Sequence, residues 1–173
     1  TVVNIAPVFG GINLEDISAP RCFEVERRLK ELLDIPVVHD DQHGTAVVVL
    51  AGLLNALKVV GKELSSSRVV ISGAGAAGNA IAQILRVKGV GDVILLDSKG
   101  IISKDRNDLD SAKQELVFWT NKENRVGGYE EAFRDADVAI GVSKQGLFKA
   151  EYIKFMHENA IVFAMANPIP EIM

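Results

Sequence analysis

Cysteine is almost absent from this sequence, and basic residues do not outnumber acidic ones. Cys22 is the single cysteine, so an internal disulfide and a thiolate metal site are both excluded. This cysteine usage favours a reducing compartment, and we expect a cytoplasmic protein. The chain has 19 basic and 23 acidic residues, a net charge of −4. That balance argues against a nucleic-acid partner but not against a nucleotide cofactor, since backbone amides at helix N-termini bind phosphate.

A signal peptide and a long uninterrupted hydrophobic run are also missing. The apolar stretch Thr45–Val60 contains Asn55 and Lys58 and is short for a membrane span, so it predicts a helix packed between other elements. We therefore expect no membrane partner. The sequence begins without a methionine and stops shortly after Asn167, and both ends indicate a larger protein.

Apolar residues are plentiful, at 48% of the chain against 24% charged, which is typical of a folded globular protein. Apolar runs alternate with amphipathic segments, the pattern of βαβ units. We predict an α/β fold with a Rossmann-like, doubly wound parallel sheet. Residues 1–62 would supply linking strands and helices with two acidic pairs, and residues 63–173 the Rossmann domain, the two forming one continuous structural domain.

The predicted elements follow from apolar periodicity and from glycine and proline positions. Strands are predicted at 1–7, 35–39, 68–72, 92–97, 137–141 and 160–166. Helices are predicted at 19–33, 44–60, 76–88, 109–120, 129–134 and 150–158.

A glycine motif lies between a predicted strand and a predicted helix. Its residues are Gly73, Ala74, Gly75, Ala76, Ala77 and Gly78. The first glycine makes the tight turn, the second lets the backbone approach a pyrophosphate, and the third lets helix and strand pack closely. The next strand ends at Asp97, whose carboxylate can accept hydrogen bonds from a ribose diol. Because strand, turn, helix and acid occur in the required order, the motif predicts dinucleotide binding rather than an ordinary glycine-rich turn.

The charge of Asp97 bears on the choice of dinucleotide. A carboxylate repels a 2′-phosphate, which favours NAD over NADP. Lys99 and Lys88 lie close enough in sequence for one of them to offset that repulsion.

Two pairs of adjacent acidic residues follow strand-like segments. Glu15 and Asp16 form the first pair, and Asp40 and Asp41 form the second. Carboxylate oxygens are ligands that suit magnesium or manganese, and several close carboxylates favour a cation among them. The alternative is that the first pair caps the following helix and the second forms a solvated turn. Asn167 ends the last strand, where its amide suits either a substrate carboxylate or a nicotinamide carboxamide, or simply makes a turn.

Taken together, these motifs resemble the bacterial malic enzyme family across nearly the whole chain. They are I-N-L-E-D at 12–16, H-D-D-Q-H-G-T-A at 39–46, G-A-G-A-A-G at 73–78, D-S-K-G at 97–100, G-V-S at 141–143 and A-N-P at 166–168. The pairing of the first two motifs is far more specific than the glycine motif.

The resemblance implies a role for each matching residue. Glu15, Asp16 and Asp41 would hold Mg²⁺ or Mn²⁺. Asp40 would lie beside them as a catalytic residue that helps to move a proton or orients a catalytic group. The glycine motif and Asp97 would bind NAD, with Ser143 near the cofactor. Asn167 would contact both the substrate and the nicotinamide.

The resemblance also implies a reaction, the oxidation and decarboxylation of malate to pyruvate and carbon dioxide with reduction of NAD. The metal would lower the pKa of the malate hydroxyl and then polarise the ketone oxygen, and an acid would protonate the enolate. The family suggests a homo-oligomer, a dimer or larger. The family's catalytic tyrosine and lysine have no match here, since Tyr129 and Tyr152 fall in other places, so we expect the chain alone to be inactive.

Other functions stay open at this stage. A malolactic reaction would use the same substrate and metal but release no NADH. A nucleotide-sensing module would need the glycine motif but not the acidic pairs, and an amino-acid dehydrogenase would bind its substrate without a metal.

Overall fold

A computed structural model describes the whole chain, residues 1–173. The strands are β1 (Ile12–Leu14), β2 (Val37–His39), β3 (Arg68–Ser72), β4 (Asp92–Asp97), β5 (Gly100–Ile101), β6 (Val138–Gly141) and β7 (Ile161–Ala164). The α-helices are α1 (Val2–Ile5), α2 (Arg21–Leu32), α3 (Thr45–Val60), α4 (Ala76–Val87), α5 (Ser111–Val117), α6 (Tyr129–Phe133) and α7 (Ala150–Ile153). Short 3₁₀ turns occupy Ala6–Val8 and Leu64–Ser66, and a π-helical turn occupies Asp40–Gly44.

Two sheets organise the chain. Strands β1 and β2 pair in parallel as a two-stranded sheet, and the other five form a sheet in the order β5-β4-β3-β6-β7. Every pair in the larger sheet is parallel except β4 with β5. Strands β4 and β5 lie on one side of β3, and the later strands β6 and β7 lie on the other side. The strand order therefore reverses beside β3, as in the predicted Rossmann-like fold. The predicted fold class is confirmed.

Helices cover both faces of the larger sheet, which explains the unbroken apolar runs of its strands. Val69 and Ile71 of β3 pack in a core with Leu53 of α3 and Ile81 of α4. Val70, between them in sequence, faces the opposite core. A strand buried on both faces has no polar alternation, so its sequence is continuously apolar.

The prediction of a strand at residues 1–7 is wrong. The segment instead forms α1 and a 3₁₀ turn, and Val3 and Ile5 are exposed. β-branched residues favour a strand only where a neighbouring strand is available to pair with it. Here the partner of β2 is Ile12–Leu14, so the first residues have no ladder to join.

Helix α3 is less enclosed than predicted. One side joins the sheet core through Ala46, Val49, Leu53 and Leu57. The other side exposes Val47, Val48, Leu54 and Val59, so the helix does not lie between other elements of this chain. With the π-helical turn, Asp40–Val60 is one helical segment of 21 residues, long and apolar enough to cross a membrane. The core helix of a globular protein can have the same length and composition, and the absence of a membrane partner stays a prediction.

Two other helices and one loop differ in detail from their predictions. Helix α5 starts at Ser111 because the Asp110 side chain caps it by accepting from the Lys113 amide at 3.0 Å. Helix α7 ends at Ile153, well before the predicted end. Residues 99–110 are predicted as a polar loop from their composition, but this segment includes β5, which returns antiparallel along β4.

Candidate functional site

The glycine motif forms a turn from β3 into α4. Gly73 has φ of +116°, a conformation that disfavours any other residue. A Cβ on Gly78 would overlap the Gly73 carbonyl oxygen, whereas a Cβ on Gly75 would meet nothing within 4 Å. No side chain caps α4, so its first amides are free for an anion. Packing therefore explains Gly78, and the open space over Gly75 faces the region where a pyrophosphate would lie.

Most predicted cofactor residues meet around one cavity. Gly73, Ala74, Gly75, Asp97 and Ser143 line a cavity of about 350 Å³. Gly73, Asp97 and Ser143 also line an adjoining cavity of about 680 Å³. Asn167 lines neither; it is exposed just beyond the end of β7. Each of the two cavities has a volume within the range of small-molecule sites.

The carboxylate of Asp97 is held by several donors. Arg106 binds it in a bidentate manner, Nη1 to Oδ1 at 2.8 Å and Nη2 to Oδ2 at 3.1 Å. Lys113 Nζ lies 3.0 Å from Oδ2, and the Lys99 amide donates to Oδ1 at 2.9 Å. Burial alone would raise the pKa of Asp97, but these hydrogen bonds outweigh it and lower the pKa to about 2. Asp97 is therefore ionised at neutral pH and faces two cations.

The cations that neutralise Asp97 differ from those suggested by the sequence. The Lys99 ammonium group pairs with Asp108 at 2.6 Å, and only its backbone reaches Asp97. Lys88 is exposed beyond the end of α4. Arg106 and Lys113 arrive instead from the loop after β5 and from α5, a contact that local sequence distance does not reveal.

The two acidic pairs emerge next to each other. In the register of β1 and β2, Leu14 lies opposite His39, so Glu15 and Asp16 leave their strand beside Asp40 and Asp41. The Asp16 amide donates to Asp41 Oδ2 at 3.0 Å. Asp16 has φ of +57°, a left-handed conformation that is uncommon outside glycine and often marks a functional segment. Since α2 begins at Arg21, the first pair does not cap it.

The acidic side chains are not gathered into a metal site. No three His, Cys, Asp or Glu side chains are arranged to hold an ion. Asp40 instead packs over Gly44 in the π-helical turn, where a Cβ on residue 44 would overlap its carboxylate. The donor chemistry suits a divalent cation and the segments adjoin, but the fit is incomplete. The assignment of Glu15, Asp16 and Asp41 as ligands stays a prediction.

One residue that sequence reasoning missed, Glu26, supports the π-helical turn. Glu26 of α2 is buried and accepts from His43 Nε2 at 2.7 Å and Gln42 Nε2 at 3.3 Å. It is the one acidic residue in the buried stripe of Cys22, Glu26 and Leu29, and an acidic residue in an otherwise apolar stripe is the sequence signal that could have identified it. His39 is buried with neither ring nitrogen hydrogen-bonded, and its Nδ1 lies 3.9 Å from Asp41 Oδ2.

Neither tyrosine approaches the acidic segments. Tyr129 shares a 2.7 Å hydrogen bond with Ser72 Oγ, directly before the glycine turn, and stacks on Tyr152. Burial raises the pKa of Tyr129, and the Ser72 bond only partly opposes this. Both tyrosines belong to the aromatic cluster under the sheet, and Tyr129 also lines the cavity of about 680 Å³.

Comparison with known proteins gives consistent results. Residues 42–172 match the family model described as malic enzyme, NAD binding domain. The NAD-dependent malic enzyme of Geobacillus stearothermophilus is 58% identical over 97% of this chain and 35% of its own length. The bifunctional malic/malolactic enzyme of Bacillus subtilis is 52% identical over 100% of this chain and 42% of its own length. An NADP-dependent malic enzyme of Halomonas elongata is 48% identical over 99% of this chain and 40% of its own length.

A solved structure agrees with these relatives. The crystal structure of the NAD-dependent malic enzyme of Thermotoga maritima superposes with a TM-score of 0.94 at 46% identity, covering 99% of this chain and 47% of that one. The chain thus spans about two fifths of the length of the curated relatives it matches.

Proposed function

This chain belongs to the malic enzyme family, and from that premise we propose that it is the NAD-binding part of an enzyme that oxidises and decarboxylates malate. The single observation that carries the proposal is the glycine turn with Asp97 beside it, lining one cavity. In this proposal the amides at the start of α4 bind the pyrophosphate, and Asp97 binds the adenosine ribose.

We further propose that Glu15, Asp16 and Asp41 hold Mg²⁺ or Mn²⁺. The support is the donor chemistry and the adjacent strand ends; side-chain rotation is required to gather the three carboxylates, because they form no such group in this structure. When bound, the ion would make the malate hydroxyl more acidic and polarise the ketone oxygen. Asp40 would take or deliver a proton, and Asn167 would orient substrate and nicotinamide.

A chimeric enzyme tests this function. The matching segment of the Geobacillus stearothermophilus relative would be replaced by this chain, to which it is 58% identical. With Mn²⁺, NAD and malate the chimera is expected to release pyruvate and NADH in equal amounts, and a chimera with Asp41→Ala to lose this activity. The isolated chain is expected to bind NAD without turnover. A chimera that folds and binds NAD but leaves malate unchanged would refute the proposal.

The malolactic reaction is the second candidate, because one relative is named a bifunctional malic/malolactic enzyme. The same chimera separates the two reactions through their products. Lactate formed without free NADH would identify the malolactic reaction, and pyruvate with free NADH the oxidative one.

NAD is the proposed dinucleotide, although relatives of both specificities exist. Arg106 and Lys113 beside Asp97 could also face a 2′-phosphate. We expect the wild-type chain to prefer NAD and Asp97→Ala to shift the NAD-to-NADP affinity ratio by about tenfold towards NADP, since the two cations lose their carboxylate partner. Calorimetric titration with both dinucleotides measures the ratio. An unchanged ratio would show that Asp97 does not face the ribose.

A further inference from the structure

Glu171 is a fully buried carboxylate without a cationic partner. Its exposed fraction is 0%, and it forms no ion pair. Its Oε1 accepts from the Ser143 amide at 3.1 Å, and its Oε2 accepts from the Ala166 amide at 3.0 Å. Burying a carboxyl group costs free energy of folding unless its oxygens form hydrogen bonds. The two amide hydrogen bonds therefore hold Glu171 in this position.

The two amides belong to loops that follow neighbouring strands. Ser143 lies just after β6, and Ala166 lies just after β7; these strands pair in parallel. One carboxylate therefore spans the carboxyl ends of both strands. Ser143 lines the two cavities beside the glycine turn, and Asn167 directly follows Ala166.

Other contacts fix the same segment in place. The Phe148 amide donates to the Glu171 carbonyl at 2.9 Å, and the Gly146 amide donates to the Pro170 carbonyl at 3.2 Å. A Cβ on Gly141 would overlap the Glu171 side chain. The absence of a side chain at Gly141 thus leaves the space that the carboxylate occupies.

We propose that Glu171 is a positioning residue that holds the loops after β6 and β7 in the geometry that receives the nicotinamide end of the dinucleotide. The inference rests on the proposed function. With the ribose at Asp97 after β4 and the pyrophosphate at the turn after β3, the rest of the dinucleotide extends over β6 and β7, on the other side of β3. Glu171 touches neither ligand nor substrate; it acts through Ser143 and Ala166.

Two ligands separate positioning from general stability. NAD has the nicotinamide, and ADP-ribose lacks it. In Glu171→Gln one amide loses its acceptor, because the glutamine amide oxygen serves one donor while its NH₂ group faces the other. We expect the Kd for NAD to rise about tenfold and the Kd for ADP-ribose to change less than about twofold. Gly141→Ala displaces the Glu171 carboxylate without changing its chemistry. We expect it likewise to raise the Kd for NAD much more than the Kd for ADP-ribose. Glu158→Gln, at an exposed position, is the matched control.

Each outcome bears on the proposal. A selective loss of NAD affinity in both variants supports it. Equal losses for both ligands, or no loss in either variant, would overturn it and assign Glu171 to stability alone. Binding of neither ligand by the wild-type chain would overturn the proposed function itself, and this inference with it.

Discussion

The glycine turn and the acidic segments both follow parallel strands, but they are built from different groups. The turn is made of backbone at the start of α4, partly open to solvent at Gly75 and fixed by the close contact at Gly78. The acidic segments present side chains, mostly exposed, at the end of a two-stranded sheet, and their carboxylates are not gathered. A site built from backbone is complete once the chain folds, whereas a site built from like-charged side chains needs its ion to become compact.

Substitutions at two glycines are expected to have the largest effects, and they test whether the glycine turn is already formed without its ligand. Gly75→Ala places a methyl group where the pyrophosphate would lie and meets no atom of the chain. We expect stability to change by less than about 0.5 kcal/mol while NAD affinity falls roughly 100-fold, which corresponds to the loss of about one hydrogen bond to a charged group. Gly78→Ala is the opposite case, because its Cβ would overlap backbone; it is expected to cost about 1–3 kcal/mol of stability. Urea unfolding and NAD titration measure both effects.

Comparison of the two variants shows whether the two glycines have separate roles. If Gly75→Ala and Gly78→Ala lose the same stability and the same affinity, the turn is not divided into a packing glycine and a binding glycine. The claim that the nucleotide end is complete before ligand arrives would then fail.

The same difference explains which parts the sequence could predict. Strands β3 and β4 occupy the predicted residues because strands buried on both faces form continuous apolar runs bounded by polar residues. The glycine motif needs only local backbone, so its turn also follows from sequence. Arg106, Lys113 and Glu171 were missed because their partners come from other elements, and only the folded chain brings them together.

One wrong prediction and one untested prediction have a further physical reason. The strand predicted at residues 1–7 fails because strand formation depends on a partner, which propensity does not specify. The acidic pairs were placed side by side by the β1–β2 register, as expected for parallel strands, but rotamers of exposed carboxylates are not specified by spacing.

Acid titration tests how much the ion pairs of Asp97, beside the glycine turn, stabilise the fold. The pKa of Asp97 is lowered from 3.8 to about 2 by Arg106 and its other donors, against the effect of burial. A lowered folded-state pKa adds stability that is complete above the unfolded pKa and is lost as the pH falls through the folded one. Wild type should therefore exceed Asp97→Asn by about 2 kcal/mol at about pH 5, and the difference should vanish near pH 2.

Urea unfolding at several pH values measures this difference. Asp34→Asn, at an exposed position before β2, is the control and should show no such trend. A difference between wild type and Asp97→Asn that stays constant from about pH 5 to about pH 2 would mean that the ion pairs at Asp97 do not stabilise the fold.

The smallest expected effect concerns Glu26, which links α2 to the acidic end alone. Its carboxylate accepts from His43 and Gln42 and pairs with Lys30 at 2.8 Å. Because His43 and Lys30 are partly exposed, Glu26→Gln should cost only about 1 kcal/mol. Hydrogen exchange should accelerate at the amides of residues 40–45 and stay unchanged at residues 73–78, with NAD affinity also unchanged. Glu24→Gln, which weakens an exposed pair with Arg27, should alter neither segment.

Faster exchange at the glycine turn in Glu26→Gln would contradict this prediction. It would show that the glycine turn and the acidic segments are coupled through α4, against which the π-helical turn packs, and that the acidic segments do not form independently.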